Sequence, residues 1–482
     1  MLSVVHVLGS MLMMFSVTYV LPIATSIIYR DGHLTDFMFA AAFCLGAGAL
    51  LWATTRRHKR ELRSRDGFLL VSFGWVLMSA IATVPLLVAL PDLTFTDAFF
   101  ECMSGLSTTG ATVLVGLEHL PPSINLWRHA LNWYGGMGII VLVVAILPLL
   151  GVGGMQMYKA ETPGPMKNDK LTPRIAQTAK ALWFVYFLIT VACILSLRLA
   201  GMGWFDAVCH AFAALALGGF STYDASIGHF DSPAIEAVLL VFMLIAAMNF
   251  GRHFIAWQRK SLRTYLDDAE AGALLKIVCG STAALALFIW YQGVYPDFWT
   301  SLRHVAFNLV SIATDCGFVS QNYAEWPMLA PMWILMLSCY CANTGSTGGG
   351  IKMFRSLVLF KQAAREMLLL VHPQAVTPVR VGGQVVQNQV VFAVLAFVVL
   401  YFGTVVALTF ALLASGLDFI SAFSAIIACI NNAGPGLGVV GPAGNYEGLS
   451  DLQTWVCSTA MLLGRLEIFS VLVLFTPMYW RK

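Results

Sequence analysis

Long apolar segments follow one another along almost the whole chain, separated by short polar and charged segments. The first two run from Val4 to Ile28 and from Phe37 to Trp52, close to the roughly 20 residues that a helix needs to cross a bilayer. The first has no basic residues before it and no Ala-x-Ala cleavage site, so it predicts a retained helix rather than a secretory signal. The pattern predicts an all-α polytopic membrane protein.

The composition strengthens this prediction. Of the 482 residues, 59% are hydrophobic and only 11% are charged, whereas a soluble domain carries about 25% charged residues. The 10 cysteines lie mostly inside apolar segments, and no two have the Cys-x-x-Cys spacing of a metal or redox site. We therefore expect the cysteines to pack as small apolar side chains, without metal or disulfide.

The basic residues predict the topology. Most of the 28 lysines and arginines fall in five clusters, which the positive-inside rule assigns to the cytoplasm together with both termini. The chain between two clusters must then leave and return, and each interval is long enough to hold a third, re-entrant apolar piece between its two crossings. The clusters lie within residues 56–65, 159–180, 252–276, 352–380 and 481–482.

The re-entrant pieces resemble one another and so form an internal repeat. Each is a short helical stretch that ends in a glycine. A polar residue lies at the same distance before each of the four glycines, and in three or four cases it is suited to capping a helix. These residues are Asp97, Asp206, His304 and Ser421. The pieces span residues 95–112, 204–222, 302–318 and 419–436.

This arrangement suits a cation. A half-helix capped at its start points its C-terminal end, with about half a negative charge, at the glycine segment. Glycine lets the following backbone aim successive carbonyls toward an axis. Irregular backbone at membrane depth is stable only where it is buried or lines a water-filled cavity, so the loops are expected to converge on one pore. Chance, in a chain with 41 glycines, could explain one such loop but explains four poorly.

Several motifs together carry a family resemblance. They are Ser107–Thr112, Trp133–Ile140, Ala160–Pro165 with Lys170–Arg174, Gly218–Thr222, Gly345–Lys352 and Asn431–Gly438. With them the chain resembles, over nearly its whole length, the Trk/Ktr/HKT superfamily of potassium transporters, and most closely its bacterial TrkH/TrkG branch. The resemblance implies potassium uptake across the bacterial inner membrane by two N-terminal helices and four helix–pore-loop–helix repeats around a pseudo-fourfold pore.

The resemblance also implies an organisation and partners. The expected units are an N-terminal hairpin at 1–65 and repeats at 66–175, 176–265, 266–380 and 381–482. A homodimer and a cytosolic, nucleotide-binding regulatory ring of the TrkA type are implied, besides membrane lipids. We expect no nucleic acid and no organic cofactor. The loop from Lys159 to Arg174 is either a docking surface for the ring or a solvated linker.

Carried over residue by residue, the resemblance implies that the backbone carbonyls of four triplets coordinate the transported potassium ion. Serine in place of the first filter glycine goes with sodium permeation in relatives, so Gly110 favours potassium. The chain departs from the usual threonine at Leu217 and Asp315. The Asp315 side chain either adds negative field near the ion or, as we favour, turns away and bonds behind the filter. The triplets are Thr108, Thr109 and Gly110; Leu217, Gly218 and Gly219; Asp315, Cys316 and Gly317; and Asn432, Ala433 and Gly434.

A glycine-rich run interrupts the helix after the third loop. Each glycine costs a helix about 1 kcal/mol relative to alanine, so the run is predicted to unwind beneath the filter. It is not a phosphate-binding loop, because Lys352 follows Ile351 and no Ser or Thr comes next. The resemblance implies a gate, and a close helix contact through small residues is the alternative. The run is Asn343, Thr344, Gly345, Ser346, Thr347, Gly348, Gly349 and Gly350.

Arg465 lies near the middle of the last apolar segment. An arginine at that depth costs about 3 kcal/mol by insertion scales, so it must face a partner or an aqueous pore. An ion pair with Glu467 is disfavoured because residues two apart on a helix do not face each other, whereas a pairing with another helix stays open. We hypothesise that Arg465 sets an electrostatic barrier below the filter.

The remaining polar residues of the apolar segments are interpreted mainly as structural. Glu101 could carry a proton or an ion, but a buried carboxylate bonded behind the filter is favoured. His210, His6 and the neighbouring Arg252 and His253 are interpreted as structural.

The sequence therefore predicts passive, gated potassium permeation. An ion-coupled symporter with sites at broken helices is the alternative. An intramembrane enzyme is remote, because the sequence shows no Ser/His/Asp arrangement, no HExxH and no clustered metal ligands.

Overall fold

A computed structural model describes residues 2–57, 64–141, 175–261 and 263–481. Within these ranges, six helices are long and apolar enough to cross a membrane, and two bent helix pairs pass the same test. Large apolar side chains such as Phe392, Val399 and Phe410 are exposed on them, as expected of a lipid-facing surface. The predicted all-α polytopic fold is confirmed. The six spans are Leu2–Tyr29, Leu34–Thr55, Arg65–Ala89, Ala179–Leu199, Ala269–Tyr291 and Asn388–Ala414.

The first two spans pack closely against each other. A Cβ atom added to Gly9 would lie 2.8 Å from the Gly48 carbonyl oxygen, so the two backbones nearly touch there, as small residues allow in membrane helix pairs. Asp31, in the connection between the spans, accepts a hydrogen bond from the Ser123 amide. The hairpin is thereby tied to the first repeat. Its elements are Leu2–Phe15, the 3-10 turn Ser16–Tyr19, Val20–Tyr29 and Leu34–Thr55.

After this hairpin, one order of elements recurs: a crossing helix, a short pore helix, an irregular loop and an inner helix. The pore helices have 12, 13, 16 and 13 residues, too few to cross a bilayer. The first repeat holds Ser64–Ala82, Val84–Ala89, pore helix Phe95–Leu106, Leu117–His119 and Pro122–Val141. The second holds Ile175–Leu199, pore helix Trp204–Ala216, Ser226–Phe230, Pro233–Ala246, Phe250–Arg259 and Arg263–Leu266. The third holds Ala269–Tyr291, pore helix Phe298–Ala313, Tyr323–Glu325, Leu329–Ser338 and Met353–Val371. The fourth holds Asn388–Ala414, pore helix Phe419–Asn431, Gly438–Val440, Asp451–Arg465, Ile468–Leu472, Val473–Phe475 and Pro477–Trp480.

The pore helices begin earlier than predicted. Their N-caps are Thr94, Gly203, Asp297 and Asp418. An N-cap side chain accepts a hydrogen bond from an amide two or three residues further on. Asp97 and Ser421 supply such amides, to Thr94 and Asp418, and are therefore not the caps. Asp206 lies in the first turn of its helix and His304 well inside the longer third pore helix. The predicted capping residues were wrong.

The inner helices of the second, third and fourth repeats are broken. In the second, Pro233–Ala246 meets Phe250–Arg259 at 94°, and Asn249 caps the second piece through its bond from the Gly251 amide. In the fourth, Asp451–Arg465 meets Ile468–Phe475 at 111°. In the third, the chain between Leu329–Ser338 and Met353–Val371 is not helical. The breaks bring irregular backbone toward the centre of the molecule.

A small β-hairpin joins the third and fourth repeats. Arg380–Val381 pairs antiparallel with Gln384–Val385. The turn uses Gly382 and Gly383 at φ 57° and 78°, the positive angles that a tight two-residue hairpin turn requires. Val379 and Val381 pack the hairpin onto Phe354 and Val390.

Candidate ion pathway

All four pore helices end in the same hydrogen-bonded turn. The amide just before the filter glycine donates to the carbonyl five residues earlier over 2.8 Å in every repeat. The preceding amide donates to the carbonyl three residues earlier, which completes a Schellman motif. The 2.8 Å bonds run from Thr109, Gly218, Cys316 and Ala433 to Ser104, Ala213, Ser311 and Ala428. The repeat seen in the sequence is thus also a repeat of backbone geometry.

The first residue of each filter triplet has a left-handed backbone. The φ angles are 54° at Thr108, 53° at Leu217, 64° at Asp315 and 58° at Asn432. A left-handed conformation costs a residue with a Cβ atom roughly 1–2 kcal/mol, and glycine is the usual residue at this point of a Schellman motif. Strain of this kind persists where the surroundings enforce it, and it concentrates at functional sites.

The last residue of each triplet is a glycine, also at positive φ: 79° at Gly110, 63° at Gly219, 92° at Gly317 and 81° at Gly434. The middle residue of each triplet is not at positive φ. Alternation of this kind turns successive peptide planes, so that neighbouring carbonyls can face the same side of the chain. Rings of backbone carbonyls are the arrangement that replaces the water around a permeating cation.

The four loops close into a ring. A Cβ atom added to any filter glycine would fall within 2.7 Å of the middle carbonyl oxygen of the next loop. The pairs are Gly110 with Gly218, Gly219 with Cys316, Gly317 with Ala433 and Gly434 with Thr109. The contacts follow chain order and return from the fourth loop to the first. The first and third repeats therefore lie opposite each other, as do the second and fourth.

Above the ring lies one open recess. All four filter glycines line it, and Tyr223, Asp224, Asn445 and Tyr446 are among the residues around them. Tyr446 also donates from its hydroxyl to the Gly434 carbonyl over 2.9 Å. The recess therefore brings the glycines of all four loops to one surface.

Behind the first loop lies a buried ion pair. Arg128 Nε donates to Glu101 Oε1 over 2.7 Å, and both side chains are almost fully buried. Glu101 also accepts from the Thr112 hydroxyl and the Val113 amide. Arg128 further donates to the Ser221 carbonyl of the second loop, which it thereby joins to the first. Glu101 is thus bonded behind the filter, as favoured. The sequence interpretation missed Arg128, whose signal was a single arginine within an apolar, aromatic helix.

The second loop is supported from two sides. His210 bonds the Ser221 hydroxyl over 3.0 Å, in keeping with the structural interpretation of this histidine. Asn132, a second residue that the sequence interpretation missed, is fully buried against Gly218. A Cβ atom on Gly218 would lie 2.5 Å from the Asn132 amide nitrogen. A side chain at the middle position of this loop would therefore displace Asn132, whereas the other loops have Thr109, Cys316 and Ala433 there.

The first side chains of the third and fourth loops bond residues outside their own loops. Asp315 Oδ2 accepts a hydrogen bond from the Gly349 amide over 3.1 Å, which is the favoured alternative for this residue. Asn432 Nδ2 donates to the Thr109 hydroxyl over 3.0 Å and to the Met461 carbonyl over 3.1 Å. The Asp315 side chain thus bonds the glycine-rich run, and the Asn432 side chain bonds the first loop and the fourth inner helix.

The glycine-rich run from Asn343 to Gly350 is unwound, as predicted, and lies directly against the filter loops. A Cβ atom on Gly348 would lie 3.1 Å from the Thr314 carbonyl, and one on Gly349 would strike the Asn431 carbonyl. Gly345 accepts from the Phe250 amide across the break in the second repeat. The glycines therefore let this backbone approach the third and fourth loops more closely than any side chain permits.

Arg465 is buried at 3% exposure and bonds only backbone in the described structure. Its guanidinium donates to the Thr347 carbonyl over 2.7 Å and to the Gly135 carbonyl over 2.8 Å. Thr347 in turn donates from its hydroxyl to the Leu215 carbonyl. One chain of bonds thus joins all four repeats below the ring, and the arginine bridges the opposite first and third repeats.

Glu467 does not pair with Arg465, so that disfavoured alternative is wrong. Glu467 accepts from Arg355 over 2.9 Å, and the Arg355 guanidinium lies 4.1 Å from the centre of the Phe397 ring. The ion pair joins the helix after the glycine-rich run to the break in the fourth repeat.

The other polar residues have structural partners. His6 bonds the Trp52 carbonyl, and His253 bonds Tyr265 and the Ile245 carbonyl. Arg252 lies 3.5 Å from Asp268. Across the described ranges, no group of three or more His, Cys, Asp or Glu side chains could hold a metal ion. The loop from Lys159 to Arg174 lies outside the described residues.

Three comparisons place this architecture among known proteins. The family model "TrkH: Cation transport protein" matches residues 33–276 and 296–482. The chain is 44% identical over 481 residues to the Trk system potassium uptake protein TrkH of Salmonella typhimurium, covering 100% of this chain and 99% of the relative. It is 41% identical to TrkG of Escherichia coli K12, over 99% and 98% of the two chains. The crystal structure of the potassium transporter TrkH from Vibrio parahaemolyticus matches with a TM-score of 0.92 at 43% identity, over 100% of this chain and 99% of that one.

Proposed function

Because the chain belongs to the TrkH family of cation transport proteins, we propose that it takes up potassium through the ring formed by its four filter loops. The observation that carries the proposal is the closure of that ring, in which each glycine leaves room for a carbonyl of the next loop. The pore helices end at the ring, and each C-terminus contributes about half a negative charge. Potassium is the transported substrate, and the names of the relatives support it as the cargo.

The ion-binding oxygens in this proposal are the backbone carbonyls of the four triplets. Side chains at three of the triplet positions already bond elsewhere: Thr109 to Ser107, Asp315 to Gly349 and Asn432 to Thr109. Backbone carbonyls are the one oxygen source that all four loops share. The coordinating shell is therefore fourfold in backbone and varied in its supporting side chains.

The gate in this proposal is the glycine-rich run together with Arg465. The bridge from Gly135 through Arg465 to Thr347 crosses from one repeat to the opposite one below the ring, so it blocks an axial path. The guanidinium charge adds an electrostatic barrier to a cation. A recess bordered by Gly348, Gly350, Tyr401 and Glu467 lies beside the run. Opening requires that the bonds of Thr347 be broken.

The protein is a multi-pass membrane protein, which we propose lies in the bacterial inner membrane with both termini in the cytoplasm. The basic clusters support this orientation. We further propose a homodimer regulated by a cytosolic ring of the TrkA type, for which the "Trk system" in the names of the relatives is the support. The proposal requires no organic cofactor in this chain.

An ion-coupled symporter is the second candidate, and the broken inner helices are the feature that favours it. Currents of single open channels in patches containing the purified protein would exclude it. Flux that stops when a proton or sodium gradient is collapsed, at constant membrane potential, would support it instead.

The test of the main proposal is rubidium and sodium flux into liposomes that contain the purified protein, comparing wild type with Gly110→Ser. The serine Cβ would strike the Gly218 carbonyl at a residue with positive φ, so the ring must change shape. We expect rubidium flux to fall relative to sodium flux. An unchanged ratio would contradict the filter assignment.

A further inference from the structure

Asp315 is the acidic residue among the four left-handed filter positions, and its side chain contacts the gate rather than the ring. Its Oδ2 accepts from the Gly349 amide over 3.1 Å, and a Cβ atom on Gly348 would lie 3.2 Å from the same oxygen. The side chain is fully buried. The filter and the glycine-rich run therefore meet at this carboxylate.

The hydrogen bond to this carboxylate comes from the gate segment, whose Gly349 amide donates to it. The second oxygen, Oδ1, has no hydrogen-bond partner within the described part of the chain. Burying an acidic group with so few partners costs free energy unless a cation lies near it.

The other three loops lack this arrangement. Thr108, Leu217 and Asn432 occupy the same left-handed position and are uncharged. The acid thus stands in the one repeat whose inner helix unwinds into the glycine-rich run. Building on the filter and gate proposed above, we propose that Asp315 couples potassium occupancy of the filter to release of the gate segment.

The coupling works through a choice of partners. While the filter is empty, the carboxylate depends on the Gly349 amide, so it holds the segment against the filter loops. An ion in the filter supplies a positive charge next to Asp315. The segment can then leave, because the buried carboxylate still has a favourable partner. Because coupling between two sites is reciprocal, release of the segment in turn strengthens ion binding in the filter.

The test is hydrogen exchange, followed by mass spectrometry, of peptides that cover residues 343–352 in the purified full-length protein. Exchange is compared in potassium and in N-methylglucamine, with thermal stability measured in both salts. Asp315→Asn keeps an acceptor for Gly349 and suits a left-handed residue, but removes the charge. Asp297→Asn is the matched control, since it removes an exposed acid from the start of the same pore helix and asparagine caps equally well.

In wild type and in Asp297→Asn we expect potassium to speed exchange of the segment at least about fivefold, the lower end of usual coupling between sites. In Asp315→Asn the segment should exchange fast in both salts, while potassium still raises thermal stability through the intact carbonyls. Potassium-independent exchange in wild type, or an undiminished potassium effect in Asp315→Asn, would overturn the coupling. If potassium failed to stabilise wild type at all, the filter assignment itself would fall.

Discussion

The amide of Asn432 donates to the hydroxyl of Thr109 over 3.0 Å, across 323 residues of sequence. This bond fastens the fourth filter loop to the first, where Gly434 already faces the Thr109 carbonyl. Asn432 also bonds the Met461 carbonyl of the fourth inner helix. One side chain thus holds the ring at the junction between the last repeat and the first.

Loss of this bond should loosen the ring. Asn432→Leu places in the fourth loop the residue that Leu217 places at the same left-handed position of the second, so the backbone can keep its shape. We expect a lower ratio of rubidium to sodium flux in liposomes and a loss of about 1–3 kcal/mol of stability, because the Thr109 hydroxyl loses a buried partner.

A double-mutant cycle isolates this bond. Thr109→Val should weaken discrimination by itself and should add little in the Asn432→Leu background. A coupling of about 0.5–3 kcal/mol is expected between residues in contact. Strictly additive effects of the two substitutions would contradict a shared role.

The glycine contacts predict a sharp difference between glycines. Gly317→Ala would bring a methyl group 2.6 Å from the Ala433 carbonyl at a φ of 92°, and strain of a few kcal/mol corresponds to a roughly hundredfold loss of flux. Gly403→Ala meets nothing within 4 Å and lies in a helix, so it should transport normally and be slightly more stable. Rubidium uptake per folded protein is the measurement. Equal losses in both variants would refute the ring contacts.

Removal of the arginine bridge should open the path below the ring. Arg465→Ala loses both bonds, to Thr347 and Gly135, and the positive charge, so we expect higher rubidium flux from the isolated protein. Arg465→Lys keeps the charge but lacks the planar guanidinium that reaches two carbonyls. Its rubidium flux should therefore lie between that of wild type and that of Arg465→Ala. Flux in Arg465→Ala that equals wild type, with unchanged regulation, would disprove the barrier.

The ion pair behind the first loop should matter for stability. Glu101→Gln leaves the Arg128 charge buried without its carboxylate, a change that typically costs about 3–5 kcal/mol. The double variant Glu101→Gln with Arg128→Met removes both charges and should recover part of the loss. Thermal unfolding in detergent measures both. A double variant less stable than Glu101→Gln alone would contradict the pair.

The sequence predicted the repeats, the glycines that follow the pore helices and the unwound run because each has a local cause. Glycine supplies the positive φ of Gly110 and its counterparts, and a run of glycines such as Gly348–Gly350 cannot stay helical. The Asp315 side chain was also assigned correctly, since a buried carboxylate needs a hydrogen-bond donor.

The rest depended on contacts that no local pattern contains. The third pore helix extends back to Asp297, whereas the glycine spacing common to all repeats placed its start at His304. Arg128 meets Glu101, and Asn132 fills the space at Gly218, only after the first inner helix has packed on the pore helices. Likewise, the sequence at Glu467 has no proline or run of glycines that would predict the bend there.

Closure of the ring in chain order has a consequence for biogenesis. Three of the four junctions join loops of consecutive repeats, but the junction of Gly434 with Thr109 joins the end of the chain to its beginning. Contacts so distant in sequence form late, after the intervening segments have been placed. A nascent chain that has inserted three repeats therefore has an open arc of three loops in place of the closed ring. The ring can therefore close only when the fourth repeat has packed against the first.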